Sequence, residues 1–323
     1  MDNDLQLVND RSAWSGADFS NDESWIYTLS TSEVDELASA ARRCLARGMA
    51  ITAIGAHDFP LPTLAPAIAT WAEEINNGRG FLLVRGIPHD FSDDEIRAMF
   101  WGIGLYLGYP VSQNSYGDMF GDVYDQGVKL DSGRVRGYRT NERLRFHSDR
   151  CDMVGLLCVR PAREGGLSSI VSSTRVYNEI VKHHPEYMQP LMNGYIHVSV
   201  EEGGELSTWR VPVYSIKDNV VSCRILRNTV EKARNMGYAK YDQLETDAGE
   251  AEDVLAVFLL DDVDDVVDGD LAHQPPGGVG DRGRDQVVFL EDVGDLFLVL
   301  VDGDLVDRLH DVGQGDGAGR AQQ

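Results

Sequence analysis

The sequence predicts an α+β fold whose main core is a β-sandwich or barrel. Helical apolar spacing runs through the early chain to Phe100, and short strand-like runs follow from Met153 to Leu226. Near residue 250 the texture changes to something that fits neither pattern.

In chain order, Ser32-Glu33-Val34-Asp35 opens a helix with Ser32 as the N-cap, and Leu37, Ala41 and Leu45 recur on one face. Leu61 to Ile75 gives a second helix. Phe81 to Gly86 is an apolar run closed by Gly86-Ile87-Pro88, which suits a buried strand. Ser92-Asp93-Asp94-Glu95 has the spacing of a capping box, and its helix carries Ile96, Met99 and Phe100. Strands are then expected at Met153–Val159, Ser168–Ser172, Gly194–Val200, Val211–Ile216 and Val220–Leu226, with Asp218-Asn219 as a hairpin turn. Thr174–Lys182 reads as a helix ending at His183-His184. Adjacent helical residues point in different directions, so those two histidines suit a helix C-terminus better than a metal. Trp209 and Arg210 are read as packing.

Composition narrows the function. The 323 residues carry a formal charge of −24, which argues against nucleic acid because phosphate binding needs a basic face. No apolar run approaches the roughly 20 residues that span a bilayer. The acidic start, Met1-Asp2-Asn3-Asp4, is unlike a secretory signal, so a cytoplasmic location is expected. Cys44, Cys151, Cys158 and Cys223 are scattered without a C-x-x-C pair, as expected of reduced thiols.

Two segments are expected, 1–250 and 251–323. Asp, Val and Gly make up more than half of the second, while Lys, Ser, Thr, Asn, Tyr, Trp, Met, Ile and Cys are absent from it. Runs such as Leu260-Asp261-Asp262-Val263-Asp264-Asp265 place carboxylates where a buried strand needs apolar groups, at several kcal/mol each. The segment is therefore expected to be irregular or disordered. An acidic tail, a calcium-binding repeat and a frame-shifted or wrong-strand translation all compete, and the restricted alphabet favours the last.

The chemistry centres on Phe146-His147-Ser148-Asp149. On extended backbone the side-chain period is two, so His147 and Asp149 share a face and can hold one metal ion. With a second histidine they would form a two-His-one-carboxylate set, which leaves open positions. Five arginines (Arg134, Arg136, Arg139, Arg143 and Arg145) precede the pair, either as a positive rim for an anionic ligand or as a solvated loop. Gln113, Asn114 and Tyr116 are candidate pocket-lining residues.

Phe81 to Pro88, the His147/Asp149 pair and Gly165-Gly166-Leu167-Ser168-Ser169-Ile170-Val171-Ser172-Ser173 occur in this order. Together they resemble the TauD/TfdA family of Fe(II)/2-oxoglutarate-dependent dioxygenases over roughly residues 60–245. The resemblance implies a double-stranded β-helix (jelly-roll) core with flanking helices. It also implies a reaction in which 2-oxoglutarate and molecular oxygen oxidise, by expectation hydroxylate, a small organic molecule; a polar or anionic one is expected. His147 and Asp149 would bind iron, and Ser168 would contact a 2-oxoglutarate carboxylate.

The family's distal histidine and its 2-oxoglutarate-binding arginine would fall after residue 250. His273 lies 126 residues beyond His147, and Arg284 follows 11 later. Yet Pro275-Pro276-Gly277-Gly278 cannot continue a central strand. The rival readings are a non-catalytic jelly-roll binding protein, an inactive truncated oxygenase lacking the distal histidine, and a metallohydrolase.

Overall fold

A computed structural model describes residues 5–88, 90–114, 116–128, 139–141, 146–149, 151–160, 168–199, 207–217, 219–238 and 296–300. Three helices build the first core: α1 (Thr31–Ala46), α2 (Ala65–Asn77) and α3 (Asp93–Leu107). The cap of α1 is Ser30, not Ser32. Only Ser30 stands three residues before Glu33, whose carboxylate accepts the Ser30 N–H at 2.7 Å and the Tyr27 hydroxyl at 2.6 Å. Burial works against the Glu33 charge, but the bonds from Tyr27 and Ser30 outweigh it and hold the carboxyl below its usual range. Burial and that same carboxylate push the Tyr27 phenol up to about 12.

The second helix starts four residues later than the apolar spacing suggests. Pro66 sits in its first turn, and the N–H groups of Thr63 and Leu64 are taken instead by the Glu36 carboxylate of α1, both at 2.9 Å. The third helix opens as expected on the Ser92–Glu95 capping box. Gly102 in its middle is explained by packing, since a Cβ there would run into the Phe59 ring. Leu37, Phe59, Leu61, Leu64, Trp71 and Met99 are fully buried between these helices, each side chain stabilising by roughly 1.5–3 kcal/mol.

The helices cover a four-stranded sheet in the order β1-β2-β8-β3, made of β1 (Ile26–Thr28), β2 (Phe81–Arg85), β3 (Met153–Leu157) and β8 (Leu296–Leu300). Strand β2 is buried over its first four residues, as its apolar run predicts. The expectation of an irregular tail fails at Leu296–Leu300. This stretch pairs antiparallel with β2 on one side and β3 on the other. Leu296-Phe297-Leu298-Val299-Leu300 carries no carboxylate, so the penalty argued for the Asp-rich runs does not apply to it.

A second core gathers α4 (Ser173–His183), α5 (Met188–Asn193), the hairpin β6 (Tyr214–Lys217) and β7 (Val220–Cys223), and α6 (Arg227–Asn235). Strand β4 (Tyr195–Ser199) pairs with β5 (Ser207–Val211), and α6 packs on β4. Two expected strands are corrected. Ser168–Ser172 is not a strand: the Ser172 hydroxyl caps α4 at Arg175 N–H and donates to the Ser12 carbonyl, so this serine-rich stretch spends its polar groups on a helix start. Val211–Ile216 is split because Pro212 has no N–H for a ladder, leaving Val211 at the end of β5 and Tyr214 at the start of β6. The turn between β6 and β7 does fall at Asn219, whose φ of +66° is the left-handed conformation such a turn demands.

His183 sits in the last turn of α4, 3.3 Å from Glu179, and His184 caps that helix. Trp209 packs against His197, with ring centroids 6.4 Å apart. No described helix is long and apolar enough to cross a membrane.

Candidate metal centre

The His147–Asp149 segment lies outside the helices and strands and is docked on Ile225, two residues beyond β7. Phe146 packs into the second core together with Ile225. Exposure alternates along the segment: Ser148 is half-buried, while the His147 and Asp149 side chains are 42% and 52% exposed. The His147 Nε2 and Asp149 Oδ1 atoms lie 3.9 Å apart. Donors on adjacent positions of one ion with ligand bonds of roughly 2.1 Å stand about 3 Å apart, so a turn of either half-exposed side chain brings this pair to one ion, and imidazole plus carboxylate is a donor set that suits iron. The two residues therefore fit a metal ion. Among the described residues no group of three or more His, Cys, Asp or Glu side chains could hold one.

Ser148, between the two ligand candidates, anchors them. Its N–H donates to the Ile225 carbonyl at 2.9 Å, and its hydroxyl accepts the Ile225 N–H at 2.9 Å. Ile225 is itself held, because the Arg224 N–H donates to the Val213 carbonyl at 2.8 Å. Sequence reasoning missed this anchor. The serine was visible, but its partner lies 77 residues away, and no local pattern announces the pairing.

Cys151 follows the pair closely. Burial, with help from the carboxylates of Asp149 and Asp152, pushes its thiol up to about 11.

Other expected site residues are placed less closely. Ser168 is half-buried in the segment leading to α4 and makes no hydrogen bond with a described residue. His273 and Arg284 lie outside the described residues, as do Arg134, Arg136, Arg143 and Arg145. Arg139 donates to Gln126 Oε1 at 2.6 Å. Gln113 and Asn114 spend their side chains on their own loop, on the Val111 carbonyl and the Asp118 carboxylate, and Tyr116 is exposed. Arg224, noted in the sequence only as part of a late strand, has a buried Nε with no hydrogen-bond partner among the described residues. It alternates with Cys223 and Ile225, which both pack into the second core.

Comparison with known proteins places the chain in a family. The family model "Taurine catabolism dioxygenase TauD, TfdA family" matches residues 45–254. FR-33289 synthase of Streptomyces rubellomurinus is 30% identical over 226 residues, covering 68% of this chain and 67% of the relative. Taurine hydroxylase-like protein SAT17 of Stachybotrys chartarum is 26% identical over 197 residues, 58% of this chain; the match spans about half of that relative, 51%. Among solved structures, asparagine oxygenase in complex with Fe(II), 3-hydroxyasparagine and succinate superposes with a TM-score of 0.59 at 16% identity, covering 86% of each chain. The non-heme iron oxygenase OrfP with Fe, succinate and a dihydroxyarginine gives 0.53 at 14% identity, covering 86% of this chain and 85% of that one. These likenesses show the jelly-roll fold of such oxygenases. The chain belongs to the TauD/TfdA family of Fe(II)- and 2-oxoglutarate-dependent dioxygenases.

Proposed function

We propose that this oxygenase hydroxylates a small organic molecule carrying an anionic group, with His147 and Asp149 holding the iron. The observation that carries the reading is the 3.9 Å approach of two half-exposed donor groups on either side of an anchored serine. When bound, the iron and 2-oxoglutarate supply the oxidising chemistry: one oxygen atom goes into a substrate C–H bond, and 2-oxoglutarate ends as succinate and carbon dioxide. The protein's share is to hold two ligands at fixed spacing, to orient the substrate and to limit water. By resemblance to the family, His273 is proposed as the third ligand, with Ser168 and Arg284 contacting 2-oxoglutarate.

The anionic character of the substrate has two supports. The oxygenases of similar fold are seen with hydroxylated asparagine and arginine, both of which bear a carboxylate. In this chain, the Arg224 Nε is buried without a partner among the described residues, a costly state that an incoming anion would relieve. Anaerobic titration with Fe(II) and then 2-oxoglutarate tests the reading, through the visible charge-transfer band of the chelate. A folded chain that gives no band would favour a non-catalytic jelly roll. In the same assay, Arg224→Gln is expected to leave Fe(II) binding intact and to weaken binding of a carboxylate-bearing substrate by about tenfold or more, a charge-assisted hydrogen bond being worth roughly 1.5–3 kcal/mol. Unchanged substrate affinity would remove Arg224 from the site.

A further inference from the structure

Taking His147 and Asp149 as the metal ligands, we infer that Ser148 is the positioning residue that sets their spacing, acting through its hydroxyl. A single N–H···O bond from residue 148 to Ile225 would leave the ligand segment free to rotate about that bond. The serine side chain adds a second point of attachment. Its oxygen accepts the Ile225 N–H at 2.9 Å and lies 3.4 Å from the Ile225 carbonyl, which the backbone N–H of Ser148 also reaches at 2.9 Å. Ser148 thus closes a ring with one residue of the neighbouring strand, using a side chain where a regular ladder would use backbone.

The consequence falls on the residues either side. Holding φ and ψ of residue 148 removes two of the four backbone dihedrals that lie between the Cα–Cβ bonds of residues 147 and 149, and so narrows the distances open to imidazole and carboxylate. The far side of the clamp is rigid. Cys223 pairs with Tyr214 in the β6–β7 hairpin, Arg224 is bonded to Val213, and α6 begins at Arg227. Phe146 and Ile225, both packed in the second core, hold the two segments together from the other face. A purely local role for the serine would require nothing from its hydroxyl beyond solubility, and an exposed hydroxyl would serve as well. Here the oxygen is committed to a backbone 77 residues away.

The test is direct measurement of Mn(II) binding by electron paramagnetic resonance on the full chain, with 2-oxoglutarate consumption measured against product formed. Ser148→Ala is expected to weaken Mn(II) binding about tenfold, in the range seen when a group that orients a metal ligand is removed. It should also raise the share of 2-oxoglutarate consumed without substrate oxidation. Ser148→Thr keeps the hydroxyl on a side chain that extended backbone accepts, and should restore binding to within about twofold of the unmodified chain. Wild-type affinity and coupling in Ser148→Ala would overturn the inference. So would equal weakening in both variants, because the hydroxyl would then not be the acting group. If the unmodified chain itself bound no Mn(II), the assignment of His147 and Asp149 would fall first, and the positioning role with it.

Discussion

Loss of either half of the metal pair is expected to cost nearly all activity. His147→Ala or Asp149→Ala should lower Fe(II) affinity by on the order of a hundredfold or more, beyond the tenfold-to-hundredfold cost of removing a group that only orients a ligand. Turnover of 2-oxoglutarate should fall below detection at micromolar iron. Folding should be nearly unaffected, since both side chains are about half exposed and contribute little to either core. Thermal melting alongside anaerobic iron titration separates the two effects. Asp149→Glu keeps the charge but moves the carboxylate by one methylene, and should recover part of the affinity without full activity. His183→Ala is the control. That residue belongs to a helix end, paired with Glu179, and its loss should change neither iron binding nor turnover. An Asp149→Ala variant that bound iron as tightly as the unmodified chain would remove the metal assignment altogether.

The parts of this molecule that were legible in its sequence are those written locally. Ser92 and Glu95 stand three residues apart and announce the start of α3, and the alternation of His147 with Ser148 and Asp149 announces a shared face. Even local signals can be misplaced by a residue or two. Ser32 has the right chemistry for a cap, but Glu33 selects Ser30, because only that spacing lets its carboxylate reach back to the N-cap N–H. Ser168–Ser172 resembles a strand through its β-branched Ile170-Val171 pair, whereas the cap that Ser172 provides depends on a helix whose register no pentapeptide reveals. The Ser148–Ile225 clamp and the unpartnered Arg224 Nε were illegible for a different reason. Each depends on which distant backbone arrives beside it, and composition carries no trace of that. The third metal ligand stayed out of reach because the segment that should hold it departs from the family's pattern.

That departure gives the second large prediction, at β8. The alphabet of residues 251–323 supports the proposal that this segment is translated in a shifted or opposite-strand frame, and the family model stops matching at residue 254. Yet Leu298 is paired with Leu82 of β2 and Gly155 of β3, in the interior of the four-stranded sheet. If that pairing carries stability, Leu298→Pro should be severe. Proline deletes a ladder donor and cannot sit in a strand flanked on both sides, at a cost of about 3 kcal/mol or more. For a chain of this length that corresponds to a drop in melting temperature of roughly 4–5 °C or more. Strands β2 and β3 would also be left as unpaired edges, so the variant should aggregate more readily, which light scattering would detect. An unchanged melting curve would mean that the sheet does not depend on β8. The first core would then be complete without the tail, and sequencing the coding DNA past codon 250 should reveal a frame with a strand-forming histidine and arginine in its place.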